Sequence, residues 1–134
     1  MAAKAGYGGK VMVGTKEVGW VKDWSADLSR DTIETTHMND GQGGWRTYIY
    51  GLGSGTVSIT VGWDMEDTSK TGQKALQDAW FNAEPVTIDE YVDDTNFYRS
   101  TVLITGVSPA ASVDGLVECS FTGQISGKPK YNAV

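Results

Sequence analysis

The stretch WVKDWSADLSRD, Trp20 to Asp31, constrains the fold more than any other part of the chain. Successive side chains of a strand point to opposite faces. Trp20, Lys22, Trp24, Ala26 and Leu28 then form a mostly apolar side, and Val21, Asp23, Ser25, Asp27, Ser29 and Asp31 a polar, acidic one. Ordinary strands run about 5–6 residues, so this pattern overshoots what a small domain needs for its own core. Its acidic side is either a solvated face of an antiparallel sheet or serves contacts beyond the domain.

Composition narrows the choice. A chain of 134 residues suits a single domain, 1–134. Its 17 glycines and 3 prolines fit an all-β fold with many tight turns. A net charge of −6 lacks the clustered Lys and Arg that grip nucleic acid. No apolar run reaches the length of a membrane span, and MAAKAGYGGK lacks the apolar centre of a signal peptide. Cys119, the single cysteine, has no internal disulfide partner and is compatible with a reducing compartment. Its position in an alternating run reads as a small core residue.

Residues 1–9 read as a flexible N-terminal arm, and the tail GKPKYNAV (127–134) as a flexible C-terminal one. Lys10–Val13 reads as a short strand and Gly14–Glu17 as the turn into the long one. Thr32–Thr36 is β-branched and either continues extended or returns after a bend near Arg30 and Asp31. His37, Met38, Asn39, Asp40, Gly41, Gln42, Gly43 and Gly44 carry an Asp-Gly turn signal and no core pattern, which predicts an exposed loop. A strand resumes at Trp45–Tyr50, is interrupted at Gly51-Leu52-Gly53, and alternates again from Ser54 to Trp63 with Val57, Ile59 and Val61 inward.

One helix follows. Leu76, Ala79, Trp80 and Ala83 recur at i, i+3, i+4 and i+7 after the capping candidates Thr68, Ser69 and Thr71, and Asn82 and Pro85 bound its end. Leu76 and Trp80 are expected to anchor it in the core. Strands at Pro85–Asp93, Phe97–Ser108 and Leu116–Ser126 close the chain. The predicted class is mainly β: an antiparallel β-sandwich or partly closed barrel with one flanking α-helix.

Catalytic chemistry finds little footing. His37 is the only histidine and no nucleophile motif accompanies it, so no enzyme and no cofactor are expected. Asp89, Glu90, Asp93 and Asp94 lack the ordered spacing of a calcium loop and read as a solvated hairpin end. Gly51-Leu52-Gly53-Ser54-Gly55 has no following Lys-Ser/Thr pair and precedes a strand, so its glycines read as a bulge or bend rather than a phosphate cradle. Among the tryptophans, Trp20, Trp24 and Trp80 are core by pattern, while Trp45 and Trp63 border turns. Exposed rings leave one alternative open: a monomeric β-sandwich binding module for carbohydrate or a receptor, displayed on a particle.

Taken in order, the glycine-rich start, WVKDWSADLSRDTIETT, WRTYIYGLGSGTVSITVGWD, one helix ending near PVTIDEY, and the closing LVECSFTGQISGKPKY make a pattern. It resembles the major tail tube proteins of long-tailed, non-contractile (siphovirus-type) bacteriophages. The resemblance covers nearly the whole chain and implies a structural virion protein, made in the host cytoplasm and placed in the tail. It implies self-assembly into hexameric rings stacked as a hollow tube, the conduit for DNA delivery, without membrane contact. Its implied partners are further copies of itself, a tape-measure protein, a tail terminator and tail-tip proteins, with DNA passing through without specific binding. Asp23, Asp27 and Asp31, extended by Glu34, then read as lumen-facing, where negative charge repels phosphates; the outer tube surface is the competing assignment. The loop His37–Gly44 reads as an inter-ring contact. Tubes of contractile particles and type VI secretion share the fold, and sequence alone does not separate them.

Overall fold

A computed structural model of the chain describes residues 9–39, 41–63, 70–93, 95–111, 113 and 115–132. Alternating runs form strands β1 (Lys10–Val13), β2 (Lys16–Glu17), β3 (Val21–Glu34) and β4 (Tyr48–Gly62). The helix α1 (Gly72–Asn82) follows, then β5 (Val86–Tyr91), β6 (Phe97–Ala110), β7 (Glu118–Ile125) and β8 (Lys130–Tyr131). All pairings are antiparallel and belong to one sheet of order β2-β1-β5-β6-β7-β4-β3, with β8 on β6.

The sheet curls around its apolar side. Val11 and Val13 of β1, Val57, Ile59 and Val61 of β4, Ile88, Val102, and Cys119, Phe121 and Ile125 of β7 share one buried cluster with Leu76 of α1. Strands from both ends of the order thus meet in one core, as a partly closed barrel requires, and α1 lies against β1, β2 and β6. Cys119 is a fully buried core residue, and burial pushes its thiol up.

The helix departs from its hydrophobic pattern in an instructive way. Leu76 is fully buried, but Trp80 is 42% exposed and stands edge-on to Phe81 at 4.9 Å. Trp80 is therefore no core anchor. It sits in the last turn of the helix, and its neighbour Phe81 is 71% exposed. Ala83, counted with the apolar stripe, is instead the left-handed C-cap. Polar side chains share the inward stripe: Gln73 is 1% exposed and its amide donates to the carbonyls of Gly19 (2.7 Å) and Gly62 (2.8 Å). Gly72 lets the helix start close in, since a Cβ there would lie 2.8 Å from Val18 Cα. Thr71 is the N-cap but makes no side-chain capping bond; Thr68 and Ser69 lie outside the described residues.

Other corrections follow from local backbone. Trp20 adopts φ 57°, is 65% exposed and precedes β3 rather than lying in it. A bulge between Val21 and Asp23 then puts Val21 on the core side with Trp24 and Ala26. The Gly51–Gly53 interruption is also a bulge within one continuous strand, as β4 takes three steps from Tyr50 to Gly53 against two on β3. The end of β5 is not solvated: Asp89 is 5% exposed and held by Arg99 at 2.8 Å, and Glu90 is 1% exposed. The described part of the C-terminal tail is docked, through β8 on β6 and the Asn132 amide donating to Phe97 O at 2.8 Å. Residues 1–8 of the N-terminal arm, Asp40 and Asp94 lie outside the described residues.

Candidate functional site

Strands β3 and β4 outrun the barrel. β7 covers β4 only from Thr56 to Gly62, while β3 and β4 pair with each other on to Glu34 and Tyr48. Beyond Asp27 they form a two-stranded arm reaching ~23 Å at about 3.3 Å per residue. β3 ends the strand order, and no described strand pairs with its outer edge. An unpaired edge of this length offers a row of amides and carbonyls for strand addition.

The arm ends in the predicted loop. Thr35 donates its amide to Thr47 O at 2.8 Å, and the two threonine hydroxyls meet at 2.9 Å. Thr36 Oγ1 accepts from the Thr47 amide at 2.9 Å. His37 Nδ1 lies 3.2 Å from Thr35 O and acts there as the donor. Asn39, Gly41, Gly43 and Gly44 all have positive φ, so the tip takes its shape from residues that tolerate the left-handed region. Met38, Gln42 and the other described tip residues are exposed, Met38 at 93%. With Asp40 outside the description, the loop stands as one projecting element.

Register divides the predicted charged residues. Asp23 pairs with Thr60, Ser25 with Ser58, Asp27 with Thr56 and Ser29 with Ser54. On β7, Ser120, Thr122 and Gln124 continue the rows. Asp23 and Asp27 thus lie on an outer face of hydroxyls and carboxylates; Ser29 and Ser54 hydroxyls meet at 3.2 Å. Asp31 follows on that side, its Cβ 3.2 Å from where a Gly51 Cβ would stand. Glu34 does not join them. β3 keeps its alternation there, so Glu34 falls with Arg30, whose guanidinium lies over the Tyr50 ring at 5.5 Å, on the opposite face.

Sequence reading missed the arm's apolar surface. Tyr48, Ile49, Tyr50 and Leu52 are all more than half exposed, Leu52 at 83%. The signal was present: TYIYGL is apolar at consecutive positions, so both faces of that segment are apolar. A ribbon with water on both faces has no internal reason for such a run, and large exposed patches mark contacts. Trp45, at 78%, adds to it at the loop.

Among the described residues no three metal-ligating side chains gather, and no described helix is long and apolar enough to cross a membrane. The arrangement carries an edge, an arm and a charged face.

The model of a family described as phage tail tube protein matches residues 9–131. Among curated proteins, none matches the chain by sequence. Solved structures match it closely in fold. The tail of an empty gene transfer agent particle with C6 symmetry is 18% identical, with a TM-score of 0.79 over 96% of this chain and 98% of that one. The SPP1 tail tube gives 0.75 at 16% identity, over 97% and 79%. The sheath–tube complex of an extracellular contractile injection system gives 0.71 at 17%, over 98% and 93%.

Proposed function

The chain belongs to the phage tail tube protein family, and from that premise we propose how its copies build the tube. It is a structural component of a virion tail, not an enzyme. The observation that carries the assembly reading is the arm: a long paired ribbon, apolar on exposed surface, with an unpaired edge along β3. Copies join into rings by pairing that edge with a neighbour's strand, and rings stack into a hollow tube. The C6 symmetry of the similar gene transfer agent tail supports six copies per ring. A ring of head-to-tail contacts closes by rotation, whereas stacking repeats along the axis without limit.

The loop His37–Gly44 seals one ring to the next. Its exposure and its place at the end of the arm support this role. Asp23, Asp27 and Asp31 line the lumen, supported by a face of hydroxyls and carboxylates where no Lys or Arg interrupts the paired rows of β3, β4 and β7 between Asp23 and Ser29. Such a face repels phosphates and lets DNA slide. A tape-measure protein inside the tube, and terminator and tip proteins at its ends, complete the assembly. The test is negative-stain microscopy of the purified chain with sedimentation across concentration. Rings or filaments that grow with concentration are expected; a compact monomer at every concentration would reject the assembly reading in favour of a displayed binding module.

A further inference from the structure

On the stacked-tube reading, which it extends, we propose that an apolar patch at the root end of the β3–β4 ribbon receives the arm tip of a copy in the next ring. Trp20, Trp63, Leu116 and Val117 form the patch, and Met38 and Trp45 of the second copy dock on it.

The patch is built where the ribbon begins. Trp20 directly precedes β3 and Trp63 directly follows β4. The Gly62 amide donates to Trp20 O and the Trp63 amide to Val117 O, both at 2.8 Å. A Cβ on Gly62 would stand 3.3 Å from Leu116 Cδ2 and 3.4 Å from Trp20 Cβ, so leucine and indole close over the bare glycine. Yet these side chains stay wet: Trp20 is 65% exposed, Leu116 59%, Trp63 42% and Val117 38%. Trp20 also adopts φ 57°, which is strained for a bulky side chain. Such strain collects at functional sites, and apolar clusters left on a surface mark contacts.

Direction identifies the occupant. Patch and tip lie at opposite ends of one ribbon: β3 takes thirteen steps from Val21 to Glu34, ~43 Å at about 3.3 Å each. They cannot meet within one copy. A contact between like ends closes after two rings, whereas a tube that lengthens needs unlike ends to meet. With the loop His37–Gly44 sealing one ring to the next, its receiving surface therefore lies at the root end. The chemistry agrees. Met38 in the loop is 93% exposed and Trp45 just after it 78%. A thioether on a flexible chain packs favourably against aromatic rings, and indoles pack well on one another.

Size sets when the contact forms. At their exposures Trp20 and Trp63 together offer roughly 250 Å², well under the ~800 Å² per partner of a stable complex. One such contact does not hold two free copies together. A ring of six, as in the similar gene transfer agent tail, makes six at once. Stacking through the patch therefore waits for ring closure.

The experiment combines substitution with cross-linking, with tube length read by negative stain and folding by the monomer melting curve. Trp20→Ser with Leu116→Ser is expected to melt as the parent does and to form rings, but to lose long tubes. Tubes of parent length overturn the contact. Should that variant not fold, Met38→Asp at the exposed tip must give shorter tubes; parent length overturns the contact again. Cross-linking tests the pairing directly, since Cys119 is buried and hidden from reagent. Tubes of Met38→Cys with Val117→Cys, treated with a short bifunctional thiol reagent, are expected to give a ladder of linked copies on a denaturing gel. A double variant linked no further than its single variants overturns the contact; one that forms no tubes leaves the decision to the substitutions. A parent that makes neither rings nor tubes removes the tube reading itself and this contact with it, an outcome distinct from the others.

Discussion

Leu76 is fully buried in the common core, whereas Trp80 keeps 42% of its surface in contact with water. Removing a buried leucine side chain costs about 2–5 kcal/mol through lost transfer and the cavity left behind. Leu76→Ala is expected to lower the melting temperature of the monomer sharply, and Trp80→Ala to lower it by clearly less; melting curves of both variants check this ranking. Glu90 sets a pH dependence. It is 1% exposed with Oε2 unpartnered, and burial pushes its carboxyl up to about 8. In the unfolded chain it titrates near 4.5, so between those values the folded state holds a proton that the unfolded state lacks. Its share of stability is whole below pH 4.5 and falls as pH rises to about 8, by up to ~1.4 kcal/mol per pH unit. Monomer melting from pH 5 to 8 is expected to show this decline, and Glu90→Gln to flatten it. Asp93 works in the other direction: the Asn96 side chain, then the Thr95 and Asn96 amides, hold its carboxyl well below the usual range.

At the scale of elements, the arm lies apart from the core that folds the domain. Its strands pair with each other and its tip packs on no part of the buried core, so surface change there leaves the barrel intact. Deleting Met38–Gly43 is expected to give a folded monomer with a melting temperature near that of the parent and no long tubes. Normal tubes from the deletion variant would remove the inter-ring role. The helix shows the converse dependence. Gln73 ties it to the carbonyls of Gly19 and Gly62, and Gly72 admits no Cβ against Val18, so Gly72→Ala damages the fold before it touches any contact between copies.

For the whole molecule, symmetry multiplies each residue. An aspartate on the outer face recurs once per copy around a ring, so one substitution changes the charge of the proposed lumen face at every copy. Asp27→Cys in assembled tubes is expected to resist a bulky thiol reagent applied from outside, while the same variant as monomer reacts. Rapid labelling of intact tubes would put this face on the exterior and overturn the lumen assignment. Asp27→Lys is expected to slow DNA ejection, with the defect easing as salt rises because phosphate contacts release counterions.

Periodicity by itself determined the longer strands, the helix and the mainly-β class, because side-chain alternation is a local property of the backbone; the two-residue strands β2 and β8, too short to show a period, read only as a turn and as part of the tail. It also located the exposed loop, since glycine and polar residues carry no core pattern. The order of the strands was beyond it, because antiparallel pairing joins residues far apart in sequence. Only the tertiary structure decided that Thr32–Glu34 continues into an arm, that Val21 joins Trp24 and Ala26 on the core side, and that Gln73 rather than Trp80 holds the helix in place. Each of those turns on a bulge, a chain end or a buried hydrogen bond. The free energy there depends on which distant groups arrive, not on which residues stand next in sequence.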